Sequence, residues 1–163
     1  MEFKGSHFEA EIILQCVRWY LSYPLSYRNI EEMMLERGVE VDHSTLNRWV
    51  LKFTPEIEKR CRKYKKATGG SWRLDETAGI NAVNEESGST IEIRQCKYLN
   101  NIVEQDHRRI KRMVDPMMGF KCFKSAKITL GGIEAMAMLT KNQSDIMPLF
   151  VRNRLDAFRY IMQ

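Results

Sequence analysis

Apolar residues recur at helical spacing along most of the chain, and the interruptions fall at proline and glycine. From Phe8 to Ser22, the residues Ile12, Ile13, Cys16, Val17, Tyr20 and Leu21 form a broad apolar stripe with Glu11 and Arg18 outside it, which predicts a first helix. Tyr23-Pro24 ends that helix, because proline disfavours helical geometry in the residue before it. Ser26 stands as the N-cap of a second helix, with Glu31 and Glu32 placed to favour the positive end of its dipole. Ile30, Met33, Met34 and Leu35 supply its buried face, and Gly38 falls where a C-terminal glycine is expected. After the turn Val39-Glu40-Val41-Asp42, a third helix begins near His43 or Ser44. It carries Leu46, Trp49, Val50 and Phe53 on one side and Thr45, Asn47, Arg48 and Lys52 on the other.

Two short helices, a turn opened by glycine and a second helix with an outward polar face describe a helix-turn-helix. The outward residues are of the types that reach base edges and phosphates in a major groove. A three-helix bundle that binds nothing would show the same apolar spacing. The segment that follows favours DNA binding: Lys59, Arg60, Arg62, Lys63, Lys65, Lys66 and Arg73 occur with no acid between positions 59 and 73. Such a run suits salt-sensitive phosphate contact, and a solvated linker equally. It reads as a helix continuing from Pro55 and broken at Gly69-Gly70.

Beyond the glycines the period changes. Ser71 to Thr77 and Ile91 to Cys96 alternate as strands do, separated by a polar, turn-rich stretch from Ala78 to Thr90. Tyr98 to Arg112 (YLNNIVEQDHRRIKR) returns to a helical period through Leu99, Ile102, Val103 and Ile110. Phe123 to about Lys141 is a further helix, where Gly131-Gly132 costs helix propensity but allows close approach of a neighbour. One last helix is expected over Ile146 to Met162.

Composition narrows the partner. The chain of 163 residues has 44% hydrophobic and 29% charged residues, a net charge of +5 and a pI near 9.1, the balance of a soluble globular protein with an acidic partner, nucleic acid first. No apolar run is long enough to span a bilayer, and the N-terminus lacks the pattern of a signal peptide, so a cytoplasmic, nucleoid-associated protein is expected. Cys16, Cys61, Cys96 and Cys122 are far apart, without a CxxC pairing, and carry no zinc signature.

The chemistry concentrates in Tyr98 to Arg112. Glu104 and Lys111, seven residues apart, share a helix face, and His107, Arg108, Arg109 and Arg112 add donors nearby. A carboxylate able to hold a divalent cation, beside groups that grip phosphate, is what metal-assisted phosphodiester chemistry requires. An amphipathic helix with a solvated basic face fits the same residues. Glu104-x-x-His107 also has the spacing of a di-iron bundle ligand pair, but that site needs two such pairs and only one is present.

Four stretches carry a resemblance: SYRNIEEMMLERGVEVDHSTLNRWV, SWRLDET, CKYLNNIVEQDHRRIKR and GFKCFKSAKITLGGIEAM. In this order, and up to about Gln143, the chain resembles the small insertion-sequence transposases of the IS-six family. The resemblance implies a helix-turn-helix joined to a ribonuclease-H-like core with an Asp-Asp-Glu (DDE) triad, which cuts and joins DNA at element ends with two divalent metals, Mg2+ or Mn2+. It assigns Asp75 in WRLDET as the first catalytic aspartate and metal ligand, Glu104 as the catalytic glutamate and metal ligand, and Lys111 as the basic residue two turns beyond. It also implies double-stranded DNA bearing the element's terminal repeats as the partner. DNA contact is expected from Ser44, Thr45, Asn47, Arg48, Lys52, Arg62, Lys63, Lys65, Lys66, Arg108 and Arg112.

The chain departs from the family in one place. A relative carries several strands, a helix and the second aspartate between the residues that match Asp75 and Glu104, whereas here only positions 76 to 103 intervene. GINAVNEESGSTIEIRQC resembles the segment just downstream of the missing aspartate, so an internal deletion with its junction close after Thr77 is expected. Asp106 and Glu76 are poorly placed to replace the lost acid, Asp106 nearly opposite Glu104 on a helix and Glu76 pointing away from Asp75 on a strand; Glu85, Glu86 and Glu92 stay open, though nothing in their spacing recommends them. The expected fold is mainly α with a small β remnant, an N-terminal helix-turn-helix followed by a truncated ribonuclease-H-like (DDE) catalytic domain. Its divisions are a DNA-binding domain at 1–56, a basic linker at 57–70, a truncated core at 71–143 and a C-terminal helix at 144–163. Strand edges exposed by the shortening would invite homodimers.

Overall fold

The computed structural model describes residues 7–67, 100–120, 122–141 and 154–162. Six α-helices occur among them: α1 (Ala10–Ser22), α2 (Tyr27–Leu35), α3 (His43–Arg62), α4 (Asn100–Val114), α5 (Phe123–Thr140) and α6 (Arg154–Met162). A single 3-10 turn at Asp115–Met117 follows α4. No strand occurs among the described residues, so the chain is mainly α there, and the two strands expected at 71–77 and 91–96 lie outside them. The chain divides into two compact units, one made of Met1–Ala67 with Arg112–Gln163 and the other of Thr68–Lys111.

In the first unit α3 is the central helix, packed against α1, α2, α5 and α6. The stripe predicted on α1 is buried through Ile13, Cys16, Val17, Tyr20 and Leu21. Ser26 caps α2 as expected: its hydroxyl accepts from the Asn29 N–H at 3.2 Å while its own N–H donates to Asn29 Oδ1 at 2.9 Å, a reciprocal pair that satisfies two orphan donors. Gly38, at φ +75°, then takes the left-handed turn that closes the helix.

Three expectations on α2 need correction. Leu35 is 60% exposed and Met33 half-buried, because the helix is short and only Ile30 and Met34, four apart, face α1 and α3. Glu31 and Glu32 lie beyond the first turn, so they do not serve the dipole, and Glu31 instead meets His43 Nδ1 at 3.2 Å.

Pro55 lies inside α3, and the helix continues from it as expected, unbroken over its 20 residues to Arg62, while Gly69-Gly70 lies outside the described residues. Proline in a helix interior removes one hydrogen bond and strains the turn before it. Tertiary packing offsets that cost, since Phe53, Thr54, Ile57 and Cys61 are all buried, with Ile57 and Cys61 at 0% exposure. Burying one such aliphatic side chain contributes about 1.5–3 kcal/mol. The expected boundary between residues 56 and 57 therefore falls inside one helix.

The helix α5 approaches α1 and α3 at its paired glycines. A Cβ placed on Gly132 would lie 2.8 Å from Leu21 Cδ2 and closer still to Thr54 Cγ2, and one on Gly131 would lie 2.6 Å from Glu58 Oε2. The neighbour whose approach the glycines were expected to permit is thus the α1–α3 pair. The last helix is described over Arg154–Met162, with the expected start at Ile146 outside the described residues, and it buries Ala157, Phe158, Ile161 and Met162. Arg60 ties it to α3 by donating to the carbonyls of Ile161 at 3.3 Å and Met162 at 2.9 Å, where the negative end of the α6 dipole favours a cation.

Candidate nucleic-acid interface

The N-terminal turn of α3 is built around Asp42. As N-cap, its Oδ1 accepts from the backbone N–H of Ser44 at 2.8 Å and of Thr45 at 3.0 Å. The Ser44 hydroxyl also donates to Oδ1, and the Thr45 hydroxyl to Oδ2 at 2.7 Å. These hydroxyl bonds, Ser44 first and Thr45 next, hold the Asp42 carboxyl well below the usual carboxylate range. Arg48 then donates to Thr45 Oγ1 at 2.8 Å, so its guanidinium is held against the first turn of the helix.

Asp42 was missed among the site residues, although an aspartate immediately before Ser-Thr and an apolar period is a helix-start signal. Ser44 and Thr45, expected to reach DNA, spend their hydroxyl protons inside the chain.

The rest of this face is exposed. Asn47, Arg48 and Lys52 lie on the surface of α3, while Leu46, Trp49, Val50 and Phe53 on its other side are buried, Trp49 edge-on to Phe8 with ring centroids 5.0 Å apart. Packing of its buried face against α1, α2, α5 and α6 holds this helix in place. Three outward polar side chains at positions 47, 48 and 52 therefore project from a fixed rod.

Toward the C-terminal end of α3 the basic run is divided. Arg62 is exposed but donates to Glu58 Oε1 through Nε at 2.9 Å and Nη2 at 2.5 Å, and Arg60 is engaged by Glu56 at 3.0 Å as well as by α6. Glutamates four residues before each arginine announced both pairs. Lys63, Lys65 and Lys66 are exposed beyond the helix.

The expected catalytic residues are reached only in part. Asp75 lies outside the described residues. Glu104 lies on α4, as expected, but its side chain is outside them too. His107, Arg108 and Lys111 are exposed on that helix, and Arg112, the next residue, is exposed at the start of the part of α4 that belongs to the first unit. Among the described residues no group of three or more His, Cys, Asp and Glu side chains could hold a metal ion. Burial pushes the Cys16 and Cys61 thiols up to about 12, which suits two inert core residues.

Comparison with known proteins adds the missing half of the picture. Residues 79–143 match the family model described as a DDE domain. Over most of its length the chain is similar to insertion-sequence transposases. It is similar to the transposase for insertion sequence-like element IS431mec of Staphylococcus aureus strain N315, at 28% identity over 207 residues, covering 88% of this chain and 91% of that one. The transposase for insertion sequence element IS257 in transposon Tn4003, also of Staphylococcus aureus, is similar to the same extent. Since 88% of 163 residues is about 143, and the aligned stretch is 207 long, roughly sixty aligned positions have no counterpart in this chain. No solved structure is significantly similar to it. No helix among the described residues is long and apolar enough to cross a membrane.

Proposed function

We propose that this chain is a transposase relative that holds duplex DNA at the ends of an insertion sequence through α3, with its cutting and joining chemistry impaired. The observation that carries the proposal is the division of α3 into a buried face and an outward face bearing Asn47, Arg48 and Lys52. Arginine and asparagine are the side chains that pair bidentately with guanine and adenine edges in the major groove, and a helix N-terminal region is the part that enters it. With α2 and the turn at 36–42, α3 then forms the helix-turn-helix, and Lys63, Lys65 and Lys66 follow the phosphate backbone beyond it. The relatives are transposases for insertion sequences, which supplies the element ends as target.

Asp75 and Glu104 remain in the segments that resemble the family's catalytic motifs, with Lys111 beyond, and Arg108 and Arg112 on the same helix as phosphate contacts. Family resemblance makes Mg2+ or Mn2+ the metal that Asp75 and Glu104 would share with a third acid. That third acid has no counterpart between them, which fits the roughly sixty unmatched alignment positions and is the reason for impaired chemistry. Losing a ligand leaves a metal and phosphate charges poorly compensated, so turnover should drop by orders of magnitude.

One experiment separates the parts. Fluorescence anisotropy with element-end duplex against a scrambled duplex, over a series of salt concentrations, should give salt-dependent binding that prefers the element end. Equal affinity for both would refute recognition of element ends. The same DNA with Mg2+ or Mn2+ should yield no cleaved or joined strand. Product at a rate comparable to a full-length relative would overturn the impairment while leaving the binding intact.

A further inference from the structure

We propose that the junction of α4 and α5 is a second nucleic-acid contact, one for unpaired bases, separate from the α3 face and independent of its docking. Two large apolar side chains stand in solvent here, Met118 at 93% exposure and Phe123 at 85%. The turn holds one of them out: Met118 is left-handed at φ 56° and ψ 30°, a conformation unfavourable for a non-glycine residue. Non-glycine residues held in such regions cluster at ligand contacts and switches.

Charge chooses the occupant. Lys124 and Lys127 are exposed on the first turns of α5, and Phe123 and Lys127, four apart, share one helix face. Arg112 is exposed at the end of α4. The exposed acids nearest in sequence are Asp115, before Met118, and Glu134, about two turns past Lys127. A second copy of this chain would bring a second set of the same cations against the first, so self-pairing through this patch is opposed by like charge. An anionic polymer with apolar flat faces is not. Bases in a duplex turn their faces toward each other, whereas unpaired bases offer them to an aromatic ring while lysines meet the phosphates. The partner is therefore single-stranded nucleic acid, held by Phe123 stacking, Met118 contact and the cations Lys124, Lys127 and Arg112.

The test is anisotropy of a labelled twenty-nucleotide oligothymidine with the full chain, with a duplex of equal length as the second probe. Phe123→Ala should weaken oligothymidine binding about tenfold while leaving the duplex unaffected. The double variant K124E/K127E should weaken it and flatten its salt dependence by about one and a half units of log K against log salt. Arg48→Ala should leave oligothymidine binding unchanged, which keeps failure here distinct from failure of the α3 proposal. Circular dichroism melting of each variant checks that the fold persists, as it should for side chains this exposed. Wild-type binding by Phe123→Ala, loss of oligothymidine binding in Arg48→Ala, or a sedimenting dimer dissolved by Phe123→Glu would each overturn the proposal, the last in favour of self-association.

Discussion

The two halves of α3 contain similar residues and use them in opposite ways. From His43 to Thr54 its cations, Arg48 and Lys52, are exposed, and the hydrogen bonds of the first turn run to the chain's own cap. From Pro55 to Arg62, Arg60 and Arg62 are engaged by Glu56 and Glu58, and Arg60 also closes the carbonyl end of α6. A run of basic residues in the sequence thus reads as one electrostatic feature and folds as two. A glutamate four residues earlier, or a helix end, turns a phosphate-seeking arginine into a structural one, and exposed cations remain at the helix start, at Lys59 and beyond residue 62.

The largest test of this contrast is Ile57→Ala. If the second half of α3 is core, the substitution leaves a cavity among α3, α5 and α6 and should cost about 2–5 kcal/mol, read from urea unfolding followed by circular dichroism. A linker residue would cost almost nothing. Next in size is Gly132→Ala. Its new methyl meets the Leu21 and Thr54 side chains, and overpacking of this kind costs about 1–3 kcal/mol, so the urea midpoint should fall. An unchanged midpoint would mean that α5 can move away from α3 freely, and that the second half of α3 is not held by it.

Much of this was legible in the sequence. The faces of α1 and the first half of α3 follow from period alone, because a helix with one wet side can bury only one set of positions. The glycine pair was legible as a close approach, though not the helices that make it. The helix continuing from Pro55 was legible too, but not the burial of Ile57 and Cys61 that offsets the proline's local cost. The bond from Arg60 to Ile161 and Met162 joins positions about a hundred apart, and no local pattern announces it. Of the candidate site, Asn47, Arg48 and Lys52 were legible as an outward face. Asp42, which organises that face, was passed over as part of a turn.

The contrast extends to binding. Arg48→Ala should weaken element-end duplex binding by about 1–3 kcal/mol, the worth of one good base-edge contact, while Arg62→Ala, whose guanidinium is shared with Glu58, should change it less. Anisotropy titrations at two salt concentrations would check both. Equal losses in the two variants would erase the distinction between the halves of α3.

The smallest effect, and the most specific, belongs to Asp42. Its carboxyl titrates below its ordinary value because the Ser44 and Thr45 hydroxyls bond the charged form. A depressed folded-state value means that the cap contributes stability above the unfolded aspartate value, near 3.9, and loses it as pH falls from there toward the lower folded value. Asp42→Asn keeps an oxygen to accept from the backbone N–H groups but carries no charge, so it should melt lower than wild type at pH 7. The gap should close in acid, as wild type loses its charge and the variant has none to lose. Thermal melts at pH 7 and at successively lower pH would measure it. A gap that stays constant with pH would mean that the Asp42 charge is not what holds the first turn, and that Arg48 owes its position to packing alone.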